Sequence, residues 1–268
     1  MKKNIITELK YSNTNTYLIE GCAGTVLFDT GWAGTFSAFC NALGDNKKRI
    51  QDINYILISH FHPDHMGIAQ EIADYGPVIV ITGFQKNYVH SSDGIFAKDS
   101  KIRFEPVIDD NLKIISVTNS RAFLKRVGIN GELIDTPGHS DDSISLLLDE
   151  GFLFVGDLNP LYELELHKGT QIEESWNKLL SYKPNKIFYG HAKPAVLNEE
   201  STALYDESDM YKLVSQIMRY IDRGFSLEKI KKKTGADSVF IEDVNRMYLT
   251  HQDVGVQGIL DRIEIKNR

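Results

Sequence analysis

Along the first two-thirds of the chain, apolar positions fall into blocks of five to seven residues, punctuated by Gly, Pro, Asn and Asp. The blocks at 16–20, 25–29, 54–59, 77–82, 111–116, 131–135, 143–149, 152–156 and 186–190 are rich in Ile, Val, Leu and Phe and predict β-strands. "GCAG" at 21–24 and "DEG" at 149–151 leave only the few residues a hairpin needs, so part of the sheet structure is expected to be antiparallel. Between strands, three-four apolar spacing predicts helices over 35–44, 66–75, 83–90 and 171–182, with Ile68, Ala69, Ile72 and Ala73 as one such stripe. Residues 91–107 lack either period and sit where a loop or lid would lie.

Beyond residue 206 the pattern changes. Tyr211, Leu213, Val214, Ile217, Met218 and Ile221, then Leu227 and Ile230, then Val239, Val244 and Met247 form helical stripes, and the first strand-like run is "RIEI" near the end. The chain therefore divides into a mixed α/β region, 1–198, and a helical C-terminal extension, 199–268.

The composition, 42% hydrophobic and 25% charged, suits a core of ordinary size. A formal charge of −7 weighs against a nucleic-acid partner, which normally meets a basic face. The run "EKIKKKTG" does not reverse this, since 199–268 carries 13 Asp plus Glu against 11 Lys plus Arg. With no apolar leader and no long uncharged apolar run, a cytoplasmic protein without a membrane span is expected. Cys22 and Cys40 are expected to be buried, reduced thiols.

The candidate chemistry begins at "ISHFHPDHMG" (58–67), which holds three of the chain's eight histidines directly after an apolar run. A loop at the C-terminal end of a strand is where functional groups gather in α/β proteins. His60 and His62 can aim neutral imidazole nitrogens at one cation, and Asp64 and His65 at a second. A chance cluster on a solvated turn is the competing reading of this segment alone. It weakens because "IDTPGHSDDS" puts His139, "FLFVGDLN" puts Asp157 and "KIFYGHAKP" puts His191 at the ends of three further strands.

Taken in order, "FDTG", "HFHPDH", "TPGHS", "VGDL" and "YGHAKP" resemble the metallo-β-lactamase fold superfamily of hydrolases over roughly residues 14–195. The resemblance implies a four-layer αββα sandwich with two divalent ions at one edge, zinc ahead of iron or manganese. By matching motif positions it implies that His60, His62 and His139 hold the first ion, Asp64, His65 and His191 the second, and that Asp157 bridges them. It further implies a hydroxide between the ions as nucleophile toward a small carbonyl substrate (thioester, lactone or related ester), with Asp64 orienting the attacking water. Asp29 is expected to hydrogen-bond a ligand histidine or the site loops. The same ligands would serve a phosphodiesterase or nuclease, part of them a mononuclear iron persulfide dioxygenase, and a non-catalytic metal-binding module is the alternative from another class. Tyr162 and His167 are weak substrate-binding candidates, set against an amphipathic connector packing on the core. His90 and His251 read as surface or capping residues, and Asp141 and Asp142 as either orienting groups or turn formers. The extension is expected to pack on the catalytic region, shape the cleft or make a homodimer contact.

Overall fold

The computed structural model describes residues 3–98, 101–197, 209–250 and 254–266. One sheet contains β1 (Ile5–Leu9), β2 (Thr16–Glu20), β3 (Thr25–Phe28), β4 (Tyr55–Leu57), β5 (Val78–Thr82) and β6 (Lys113–Ile115), side by side in sequence order. Its first three strands are antiparallel and its last three join in parallel. Connection length decides which: Gly21 N–H donates to Gly24 O at 2.8 Å and closes a tight hairpin, whereas β3 reaches β4 through the helix α1 (Phe36–Asp45). The second sheet has the order β11 (Ala195–Val196), β10 (Lys186–Phe188), β9 (Phe152–Phe154), β8 (Ile144–Leu148), β7 (Gly131–Asp135).

Period-two alternation sorts the apolar side chains into layers. Leu18, Leu27, Ile56 and Ile79 point outward onto Phe39 and Leu43 of α1. Their neighbours Tyr17, Ile19, Val26, Phe28 and Val80 point inward and meet Leu133, Leu146, Leu148, Phe154 and Phe188 of the second sheet. Leu147, Leu153 and Ile187 face the other way, onto Trp176 and Leu179. The strands are apolar on both faces because helices cover both outer surfaces. This is the four-layer αββα sandwich.

The helix expected over 66–75 is instead two short pieces, α2 (Pro63–Met66) and α3 (Ala69–Ala73). Gly67 N–H leaves the helical ladder to donate to Gly31 O at 2.9 Å, and a Cβ there would meet Ala33 N at 2.2 Å. The helix expected over 83–90 reduces to one 3-10 turn, Gln85–Asn87, because the buried Gln85 side chain donates to Ile58 O and Asp142 O. Residues 91–107 hold one short helix, α4 (Asp93–Phe96), whose Phe96 packs into the core. β1, β11 and α5 (Ser120–Lys125) were not signalled, since each is short and β1 exposes Ile5.

After α6 (Gln171–Ser181), which joins β9 to the parallel β10, come four helices: α7 (Asp209–Asp222), α8 (Leu227–Thr234), α9 (Ser238–Thr250) and α10 (Val256–Lys266). "RIEI" lies in α10 and is helical, as its Ile263 and the preceding Ile259 pack with Val214, Ile217, Val244 and Met247 in a separate apolar cluster. Ser226 caps α8 at its start and Gly235, left-handed at φ 70°, ends it, leaving Lys231, Lys232 and Lys233 exposed. The helices dock on the sandwich through polar bonds. Glu163 Oε1 accepts from Gly255 N at 2.7 Å, and Tyr162 Oη donates to Asp261 Oδ2 at 2.8 Å. Among the described residues no helix is long and apolar enough to cross a membrane. Both cysteines are free thiols, but neither is buried: Cys22 is exposed, because it lies in the turn between β2 and β3 rather than in a strand, and Cys40 on α1 is half-buried.

Candidate metal centre

The loop after β4 is built to present histidines on one side. Phe61 is fully buried in the core, so His60 and His62, flanking it, are turned the other way. Phe61 N–H donates to Asp142 Oδ2 at 2.7 Å, and Ser59 O accepts from Ile144 N at 2.8 Å, fastening the loop to the second sheet. Pro63 occupies the first turn of α2, where its missing N–H costs nothing, and that turn carries Asp64 and His65. His139 follows β7, Asp157 follows β9 and His191 follows β10, and the parallel pairing of β9 with β10 delivers the last two to the same edge.

All seven side chains converge. Ligand atoms of His60, His62 and His139 lie within 4.8 Å of one another, as do those of Asp64, His65, Asp157 and His191. The two groups adjoin at Asp157, whose Oδ2 is 3.6 Å from His139 Nε2 and 3.4 Å from His191 Nε2, while Oδ1 is 3.2 Å from His65 Nε2. His191 Nε2 and Asp64 Oδ2 are 2.8 Å apart, and His139 Nε2 and His62 Nδ1 3.2 Å.

Surrounding groups set the ring orientations. His65 Nδ1 donates to Asp29 Oδ2 at 2.8 Å and His191 Nδ1 to Asn13 O at 2.8 Å, so each Nε2 is left with its lone pair toward the centre. Asp29 also accepts from Ser59 N at 2.7 Å and Ser59 Oγ at 2.9 Å. It sits at φ 63°, a left-handed conformation that Asp tolerates better than most residues, and these bonds hold it there.

The chemistry of the donors fits divalent cations. His60 Nε2, His65 Nε2 and Asp157 Oδ1 are buried and have no hydrogen-bond partner among the described residues. Leaving buried polar atoms unpaired is costly, and a cation between them is what satisfies lone pairs that face one another. Burial pushes His139 down to about 4 despite the opposing pull of Asp157, so it is neutral at pH 7, as a ligand must be. Burial, reinforced by His65 and His139, holds His60 well below the usual range. At His65 burial acts the same way but is outweighed by Asp157, Asp29 and Asp64, which raise its affinity for a positive charge. These two adjacent clusters form a dinuclear metal site.

The remaining candidates fall in different places. Asp142 is buried and orients the histidine loop, whereas Asp141 is exposed. Tyr162 is spent on Asp261. His90 lies on the surface between Asp93 and Asp109. His251 lies outside the described residues. His167 is only 3% exposed and lines a cavity of about 510 Å³ together with His62, His139, Asn159, Gln171 and Arg262. A second cavity, about 820 Å³, opens on the Asp64 and His191 side and is walled by Trp32, Pro63, Ile95, Met247 and again Arg262. Arg262, from α10, carries no sequence signal beyond its place in an amphipathic helix.

The sequence profile described as Metallo-beta-lactamase superfamily matches residues 10–191, which contain all seven side chains. "Beta-lactamase-like protein 2 homolog" of Drosophila melanogaster is 29% identical over 186 residues, 66% of this chain and 58% of the relative, so the match spans little more than half of that relative's length. "Thioesterase pkgB" of Emericella nidulans is 28% identical over 156 residues, 56% of this chain and 36% of its own. Among solved structures, metallo-beta-lactamase family protein TTHA1429 from Thermus thermophilus shares the fold at TM-score 0.55 and 17% identity, covering 97% of this chain and 92% of its own, a span that takes in the C-terminal helices. With the profile match, the αββα sandwich and the paired ligand clusters in agreement, the chain belongs to the metallo-β-lactamase superfamily.

Proposed function

We propose that this protein is a metal-dependent hydrolase that cleaves a small thioester, ester or lactone. His60, His62 and His139 would hold one divalent ion, Asp64, His65 and His191 the other, and Asp157 would bridge them. Zinc is the expected metal, as nitrogen-rich sites of this kind favour it, with iron and manganese as competitors. Bound there, the ions supply Lewis acidity and a nucleophile at neutral pH.

The chain's own residues supply the rest. Burial opposes charge on Asp64, but His65 and His191 hold its carboxyl well below the usual carboxylate range, so at neutral pH it is an acceptor. Thr14 Oγ1 donates to Asp64 O at 2.7 Å and fixes that turn, and the side chain borders the larger cavity, where it can take a proton from the attacking water. Cavities of about 510 and 820 Å³ on the two sides of the centre suit an acyl group on one side and a leaving group on the other. The relative named as a thioesterase supports the thioester reading.

The observation that carries the proposal is the set of inward-facing, unpartnered atoms on His60, His65 and Asp157. The test is metal analysis of purified protein, followed by a hydrolysis screen over thioesters, lactones, phosphodiesters and β-lactams, with His62→Ala and Asp157→Ala as controls. Two divalent ions per chain and metal-dependent thioester or lactone cleavage are expected, with most metal and turnover lost in Asp157→Ala. Activity on phosphodiesters alone would transfer the protein to the nuclease branch, and full metal content in Asp157→Ala would remove the bridge.

A further inference from the structure

The C-terminal helices place a charge beside the centre that the hydrolytic chemistry does not use. Arg262 is nine-tenths buried, and it lines both large cavities and the narrow cleft containing Asp157 and His191. Its Nη1 donates to Gly258 O at 3.2 Å, but its buried Nε has no partner, and no carboxylate among the described residues forms an ion pair with it. The neighbouring acids are engaged elsewhere. Asp261 accepts from Tyr162 and Gln257, and Glu163 from Gly255 and Asn159. Across the smaller cavity stands His167, 3% exposed, whose Nε2 is likewise buried and unpartnered.

A buried guanidinium whose Nε lacks an acceptor is costly unless a ligand supplies one, and an anionic ligand matches both its donors and its charge. Asp157 does not fill that role in the proposed enzyme, where its charge is committed to the cations. We infer that Arg262 and His167 form an anion subsite, so that the substrate is a small ester or thioester carrying a carboxylate or phosphate beyond its scissile carbonyl. Arg262 supplies the fork of donors and the charge, and His167 a further hydrogen bond. The inference rests on the hydrolase reading for the word substrate, though not for the subsite itself.

Two measurements on the zinc-loaded full chain separate these. In the first, thioesters of one acyl length ending in a carboxylate, a phosphate monoester or a neutral amide are compared by kcat/KM. Wild type favours an anionic end. Because the ratio of anionic to neutral substrate cancels any partial loss of folded protein, it reports on Arg262 directly. One charge-assisted contact accounts for a fall in that ratio of about 10- to 100-fold in Arg262→Met, a smaller fall in Arg262→Lys and an intermediate one in His167→Asn. Whichever anion shows the larger ratio identifies the natural group. In the second, calorimetry compares succinate with acetate. The second carboxylate strengthens binding to wild type and not to Arg262→Met, even if no thioester is turned over, in which case the hydrolase reading fails and the subsite stands. An unchanged ratio in Arg262→Met, a wild-type preference for the amide, or equal affinity for the two acids overturns the inference.

Discussion

Replacing Gly190 with alanine disturbs the centre without touching a ligand. A Cβ at this position would lie 2.5 Å from Asp157 Oδ1 and 2.8 Å from His65 Cε1. Ordinary C···O separations are about 3.3–3.6 Å, so the carboxylate must retreat by about 1 Å. The backbone cannot yield instead, since Gly190 N–H donates to Gly156 O at 2.6 Å and Gly190 O accepts from Asn15 N at 2.7 Å. Metal sites hold their ligand distances to about 0.2 Å, so the displaced carboxylate is poorly placed for both ions. Loss of orientation of this kind lowers metal affinity about 10- to 100-fold, equivalent to about 1.4–2.8 kcal/mol. The assay is competition for zinc against a chromogenic chelator. Thermal unfolding of the metal-free protein separately measures the overpacking, about 1–3 kcal/mol. Gly44 in α1 has nothing within 4 Å of a Cβ and is the control. Gly44→Ala should bind zinc as wild type does and gain up to about 1 kcal/mol of helix stability, a rise of roughly 2–4 °C in Tm. Wild-type zinc affinity in Gly190→Ala would refute the reasoning, because it would mean that Asp157 is not held at a cation.

Two further outcomes follow from the geometry. Asp29→Asn keeps the size of the side chain but leaves one acceptor oxygen where the carboxylate serves Ser59 N, Ser59 Oγ and His65 Nδ1, so zinc affinity is expected to fall by about 10- to 100-fold in the same competition assay. His90 is raised above its ordinary 6.5, first by its bond to Asp109; burial opposes this, and the bond to Asp93 adds to the rise. The stability from that pairing is therefore complete below pH 6.5 and is lost as pH rises through the raised value. An NMR titration should find the His90 midpoint above 6.5 and lowered in Asp109→Asn, and an unchanged midpoint in that variant would dissociate the pair.

Much of the sandwich was legible in local pattern. Runs such as "TVLF" and "ISLLL" are apolar on both faces, which only a strand covered on both sides requires, and ligand-type residues stand where such runs stop. The continuous helices that apolar spacing predicts over 66–75 and 83–90 do not form, for one reason. Apolar spacing reports which residues are buried, while Gly67 and Gln85 spend their polar groups on distant partners, Gly31 and Ile58, that no window of neighbouring residues contains.

Residue types at strand ends by themselves pointed to a metal-binding site, and the order of the motifs, through its resemblance to the metallo-β-lactamase superfamily, implied the fold. Tertiary structure alone decided how those residues meet: that Asp157 lies between two clusters, that Asp142 ties down the histidine loop, that His167 is buried against the centre rather than solvated, and that Arg262 reaches the cleft from a helix more than seventy residues beyond His191. Such placements arise from packing between segments remote in sequence, and one arginine on one amphipathic helix looks like any other until the surface it is pressed against is known.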